Sequence, residues 1–138
     1  MTTPDACLIV IDNDSLVKRA HHRGLSGILR ALGHGATPIL TAESGADALE
    51  IVAREDQKLG GKTQYFLLTD GDMPGMNGPD VIRRLDGLLQ HRLLMRTICS
   101  ANSEYEKQAE QLTAFFLLKP CDMGELKSLL NIYFAQLD

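Results

Sequence analysis

The chain has 138 residues, enough for one domain with a real core, with 44% apolar and 23% charged residues and a net charge of -4. No apolar run approaches the ~20 residues of a membrane span, the start "MTTPDACLIV" has no basic or signal-like block, and no basic cluster offers a nucleic-acid footprint. The expectation is one cytoplasmic domain over 1–138, with no direct nucleic-acid binding, in which Cys7, Cys99 and Cys121 are reduced thiols rather than a disulfide frame or a zinc site.

Short apolar runs alternate with helical patterns. "CLIVI" (7–11) reads as a buried strand ending at Asp12. A helix follows over 15–32, with Val17, Ala20, Gly24, Ile28 and Leu32 on its inner side and Asp14 or Ser15 as cap. His21 and His22, as sequence neighbours, cannot face each other and read as part of a solvated face. "TPILTA" (37–42) is a second strand. "ESGADALEIVARE" is a second helix, with Ala46, Leu49, Val52 and Ala53 inward. "YFLLT" is the third strand, and the third helix starts near Pro79 and buries Val81, Ile82, Leu85 and Leu88.

"LMRTICS" (94–100) is a fourth strand. A weak polar helix follows, with Tyr105, Ala109 and Leu112 on one side. "AFFLL" is the fifth strand, and "MGELKSLLNIYFAQL" closes the chain with Leu126, Leu129, Leu130, Tyr133 and Leu137 inward; Phe134 reads as a packing residue. Five strand–helix pairs imply an α/β fold: a doubly wound parallel sheet with helices on both faces and the flavodoxin-like order 2-1-3-4-5.

In such a sheet the site lies beyond the carboxyl ends of the strands, where the strand order reverses between strands 1 and 3. Both of those strands end in acid, at "DND" (Asp12, Asn13, Asp14) and at Asp70, with Asp72 close behind. Two like charges about 4 Å apart repel by about 4 kcal/mol at an effective dielectric of about 20. One is therefore protonated or a cation lies between them. The donors on offer are oxygens, which suits Mg²⁺ or Mn²⁺ rather than zinc. Ser100 and Lys119 end strands 4 and 5 at the same mouth. An acid pair, a hard cation, a hydroxyl and an ammonium suit a phosphoryl group, with Asp70 as nucleophile.

Four stretches in order, "LIVIDND", "LLTDGDMPGMNG", "CSA" and "FLLKP", resemble a response-regulator receiver domain of two-component signalling over nearly the whole chain. The resemblance implies that Asp70 is phosphorylated by a sensor histidine kinase or a histidine phosphotransfer protein. It implies that Asp12, Asn13, Asp70 and the main-chain carbonyl of Asp72 form the Mg²⁺ site, Asp12 acting through water. Ser100 and Lys119 would contact the phosphoryl oxygens, and Phe116 would be the switch aromatic. Partners would dock on the fourth helix, fifth strand and fifth helix, and a homodimer through that face stays open. One departure is Asn13, where the family usually has a metal-ligating acid; it implies weaker Mg²⁺ binding. A second is Asp72, whose side chain could add negative charge at the mouth.

The chain stops at the fifth helix, which suggests a stand-alone chemotaxis-type regulator, although an excised receiver is the other reading. Two further functions compete. "DGD" resembles the DxD motif of haloacid-dehalogenase-type phosphatases, but that motif normally sits on the first strand and is not followed by Met-Pro. The other is an interaction module that works without phosphorylation, which Asn13 keeps open.

Overall fold

The computed structural model describes residues 5–137. Residues 1–4 and the final Asp138 lie outside the described residues. The element order is β1 (Ala6–Ile11), α1 (Ser15–Ala31), β2 (Ile39–Ala42), α2 (Gly45–Lys58), β3 (Gln64–Asp70), α3 (Gly78–Leu89), β4 (Leu93–Ser100), α4 (Tyr105–Gln111), β5 (Phe115–Leu118) and α5 (Met123–Gln136), with one 3-10 turn over Gln90–Arg92. All strand pairs are parallel, in the order β2-β1-β3-β4-β5. That is the order expected from the β-α alternation.

Alternation along the buried strands divides the core in two. Leu8, Val10, Phe66, Leu68, Met95 and Cys99 pack under α1 and α5. Ile9, Ile11, Tyr65, Leu67 and Ile98 pack under α2, α3 and α4. Tyr133 of α5 reaches across the base of the sheet: its hydroxyl accepts from the Cys7 N–H at 3.2 Å and donates to the Gln64 carbonyl. On the other face, Arg92 forks onto Asp56 at 2.7 and 2.9 Å, and the Tyr65 hydroxyl donates to the same carboxylate at 2.7 Å.

Helix rotations differ from expectation at three places. In α1 the buried residues are His21, Leu25, Ile28 and Leu29, while Ala20 is exposed. These four follow an i, i+4, i+7, i+8 stripe with more apolar surface than the stripe through Val17 and Ala20, and His21 is carried inward with it. Only His22 lies on the solvated face. In α2, Gly45, Ala48 and Val52 are buried, and Ala46 and Ala53 are exposed. In α3, Leu89 rather than Leu88 is buried.

The cysteines also depart from expectation. Cys99 and Cys121 are joined as a disulfide with Cα atoms 6.4 Å apart, and Cys7 alone is a free thiol, buried. The parallel topology is the reason: the end of β4 lies beside the end of β5, so two cysteines 22 residues apart meet. Among the described residues no helix is long and apolar enough to cross a membrane.

Candidate functional site

All five strands run the same way, so their carboxyl ends share one edge. Asp12 follows β1, Asp70 ends β3, Ser100 ends β4 and Lys119 follows β5. The Lys119 ammonium donates to Asp12 Oδ2 at 3.0 Å and to Asp70 Oδ1 at 3.1 Å. Both carboxylates are buried. Two acids therefore share one ammonium, which leaves the cluster with a net negative charge. Burial, and then the charge of Asp12, push the Asp70 carboxyl above its ordinary pKa, against the opposing pull of Lys119 and the Asp72 N–H. For Lys119 the two carboxylates outweigh burial, and its pKa is raised.

Each flank is built from its local sequence. Asp12 Oδ1 accepts from the Asp14 N–H at 2.9 Å. Asp14 is the N-cap of α1, accepting from the Leu16 and Val17 N–H groups. Its side chain is committed there and does not stand in for an acid at position 13. Asn13 is exposed beside Asp12. After Asp70 the chain turns through Gly71 to Gly75, where φ is +82°. Asn77 and Asp80 form a capping box at the start of α3. The Gly78 N–H donates to the Gly71 carbonyl at 2.8 Å, closing the loop onto the end of β3.

Ser100 is buried, and its Oγ accepts from the Asn102 N–H at 3.1 Å. Its carbonyl accepts from the Lys119 N–H at 3.0 Å, holding the ends of β4 and β5 together. Phe116 is half-buried against the α2–α3–α4 side of the core. The Lys119–Pro120 peptide bond is cis.

Sequence patterning missed two residues of this region. Tyr105, expected only to pack, also donates its hydroxyl to Asp72 Oδ1 at 3.0 Å. One carboxylate oxygen of Asp72 is thereby engaged by α4. Gly71 is the second: a Cβ there would meet Tyr105 Cδ2 at 2.7 Å and Ser100 Cβ and Oγ at 2.9 Å. A glycine directly at the end of an apolar strand is the signal that could have found it, since glycine there can mark close approach of another segment.

A family model described as "Response regulator receiver domain" matches residues 8–131. The chemotaxis protein CheY-3 of Vibrio cholerae is 28% identical over 133 residues, which are 94% of this chain and 92% of that protein. The DNA-binding transcriptional regulator NtrC of Escherichia coli is 33% identical over 125 residues, 88% of this chain and 23% of that protein. The chain spans about a quarter of the length of the first curated relatives it matches. Among solved structures, the receiver domain of the histidine kinase CKI1 from Arabidopsis thaliana, complexed with Mg²⁺ and BeF₃⁻, has a TM-score of 0.70 at 19% identity and covers 96% of this chain and 91% of its own.

Proposed function

The chain belongs to the response-regulator receiver family of two-component signalling, and on that premise we propose that it takes a phosphoryl group from a phosphohistidine onto Asp70. The observation that carries this reading is the Lys119 ammonium held between Asp12 and Asp70. The donor would be a sensor histidine kinase or a histidine phosphotransfer protein. Leu16, 74% exposed on the first turn of α1, offers that donor an apolar contact beside the acids.

A carboxylate oxygen of Asp70 attacks phosphorus as the phosphorus–nitrogen bond breaks. The electron pair leaves with the imidazole, and an acyl phosphate forms on Asp70. Lys119 supplies positive charge to the transferring group. Ser100 donates its hydroxyl to a phosphoryl oxygen.

The net negative oxygen cluster, two buried carboxylates on one ammonium, fits a hard divalent cation. Asp12, Asn13, Asp70 and the main-chain carbonyl of Asp72 would hold Mg²⁺ or Mn²⁺. Such an ion neutralises charge on the phosphoryl oxygens. The solved relative with Mg²⁺ and BeF₃⁻ supports this. Asn13 brings an oxygen without charge, so affinity is lower than with an acid there.

Phe116 turning inward then changes the α4–β5–α5 surface. Phe115 and Leu118 of β5 and Ile132 of α5 are exposed apolar groups there, suited to a protein partner. The test is incubation with acetyl phosphate and Mg²⁺, read by intact mass. A single base-labile adduct, lost in Asp70→Asn, is expected. Phosphate turnover without an adduct would instead support a DxD-type phosphatase. No reaction at high Mg²⁺ would support an interaction module independent of phosphorylation.

A further inference from the structure

Three metal-ligating side chains on the α1–α5 side of the sheet have no part in the phosphoryl chemistry. The ligand atoms of His21 in α1, Cys99 in β4 and Cys121 in the loop before α5 all lie within 4.8 Å of one another. His21 and Cys99 are 7% and 1% exposed, while Cys121 is half-buried. No hydrogen bond to the His21 ring is found among the described residues. Burial holds its pKa below the ordinary histidine value, so the ring is neutral and has a lone pair to offer.

We propose that, when the Cys99–Cys121 disulfide is reduced, these three residues bind one thiophilic divalent ion, with Zn²⁺ the best match. The donor set selects it. Two sulfurs and one imidazole suit zinc and discriminate against Mg²⁺, whereas the oxygen cluster around Asp70 does the reverse. Charge agrees as well. Two thiolates cancel the charge of a divalent ion, so the buried complex is neutral and avoids the penalty of an isolated buried charge. Spacing agrees in turn. With Zn–S near 2.3 Å and Zn–N near 2.0 Å, tetrahedral ligand atoms stand about 3.5 Å apart. Reduction would let the two sulfurs move apart to that spacing, and the His21 nitrogen already lies within 4.8 Å of them.

Binding converts two thiols and one Zn²⁺ into a bis-thiolate complex and releases two protons. Three protein ligands leave the fourth tetrahedral position for water. Disulfide and metal are mutually exclusive, because both use the same sulfur electron pairs. A filled site would join α1, the end of β4 and the segment two residues past Lys119. The inference does not rest on phosphorylation.

The test uses the full chain, reduced with a phosphine and then freed of reductant without oxygen. The phosphine takes the oxygen of water and leaves two thiols. Addition of Co²⁺ as probe is expected to give a thiolate-to-cobalt charge-transfer band and tetrahedral ligand-field bands at one ion per chain. Zn²⁺ should abolish both. Asp70→Asn should keep the bands, which separates this site from the acidic one. Cys99→Ser, Cys121→Ser and His21→Ala, each checked for native circular dichroism, should weaken binding by more than about tenfold. Absence of the charge-transfer band in a protein shown to carry free thiols at Cys99 and Cys121 overturns the proposal. So does a His21→Ala protein that binds Co²⁺ as tightly as wild type.

Discussion

The Tyr105 hydroxyl donates to Asp72 Oδ1 at 3.0 Å, so the first residue of α4 is tied to the loop that follows Asp70. The ring is buried against Gly71 and Ser100, and only its hydroxyl reaches the carboxylate. Burial, then the hydrogen bond to Asp72, raise the phenol pKa, so it stays a donor through the physiological range. A hydrogen bond to an exposed carboxylate contributes about 1 kcal/mol. In Tyr105→Phe the melting temperature should fall by a few degrees. Amide exchange in Tyr105–Gln111 should also quicken relative to α2. Unchanged exchange in α4 would show that packing alone holds the helix.

Gly71 makes that contact feasible. A Cβ at position 71 would press on Tyr105 and on the Ser100 side chain together, both closer than van der Waals contact. Gly71→Ala should destabilise the fold by about 1–3 kcal/mol, as overpacking does. Chemical denaturation checks this. In the double variant Gly71→Ala with Tyr105→Ala the combined loss should be smaller than the sum of the two single losses, because one of the two obstructing groups is gone.

The sheet order and the meeting of Asp12, Asp70 and Lys119 were legible because both follow from topology. Strand–helix alternation dictates a parallel sheet, and a parallel sheet collects its strand ends on one edge. Helix rotation was legible only where the apolar stripe is unambiguous, as in α5 with Leu126, Leu129, Leu130 and Tyr133. In α1 two candidate stripes share Ile28. The one that won includes a histidine, which hydropathy alone assigns to the surface. The Cys99–Cys121 pairing was hidden for a different reason. It depends on which side of the sheet each residue faces at the end of its strand, and spacing of 22 residues carries no sign of that. The same holds for Tyr105 and Asp72, which belong to different segments and meet only after α4 has packed.

Asn13 is the position through which the proposed cation site would be tuned. It is exposed beside Asp12, and the adjacent Asp14 is used as a helix cap. Asn13→Asp adds a charged oxygen at little steric change. Mg²⁺ affinity should rise on the order of tenfold, or about 1.4 kcal/mol. Titration calorimetry against Mg²⁺ reads this directly. Phosphorylation by acetyl phosphate should reach half its maximum at a correspondingly lower Mg²⁺ concentration. Equal affinity in the two proteins would show that position 13 does not reach the ion.

Two carboxylates should give the stability–pH curve contributions of opposite sign. The folded-state pKa of Asp56 is lowered, first by the Arg92 hydrogen bonds and then by that of Tyr65, against burial. Its contribution is full above the ordinary value of 3.8 and is lost as pH falls through the depressed folded value. Asp70 is the reverse. Its folded pKa lies above 3.8, so the ionised form costs stability at neutral pH, and that cost is relieved as pH falls through the raised value. Without divalent ions, Asp70→Asn should therefore be more stable than wild type at pH 7, by on the order of 1 kcal/mol after the offset from Lys119. The difference should shrink toward zero as the pH drops below the ordinary carboxylate range. Arg92→Ala should behave oppositely, losing about 2 kcal/mol at neutral pH and less in acid, where Asp56 is protonated in either case. Urea melts of the three proteins from pH 7 to pH 3 distinguish these trends. An Asp70→Asn protein less stable than wild type at neutral pH would mean that the lysine's bond to Asp70 outweighs the repulsion between the two acids.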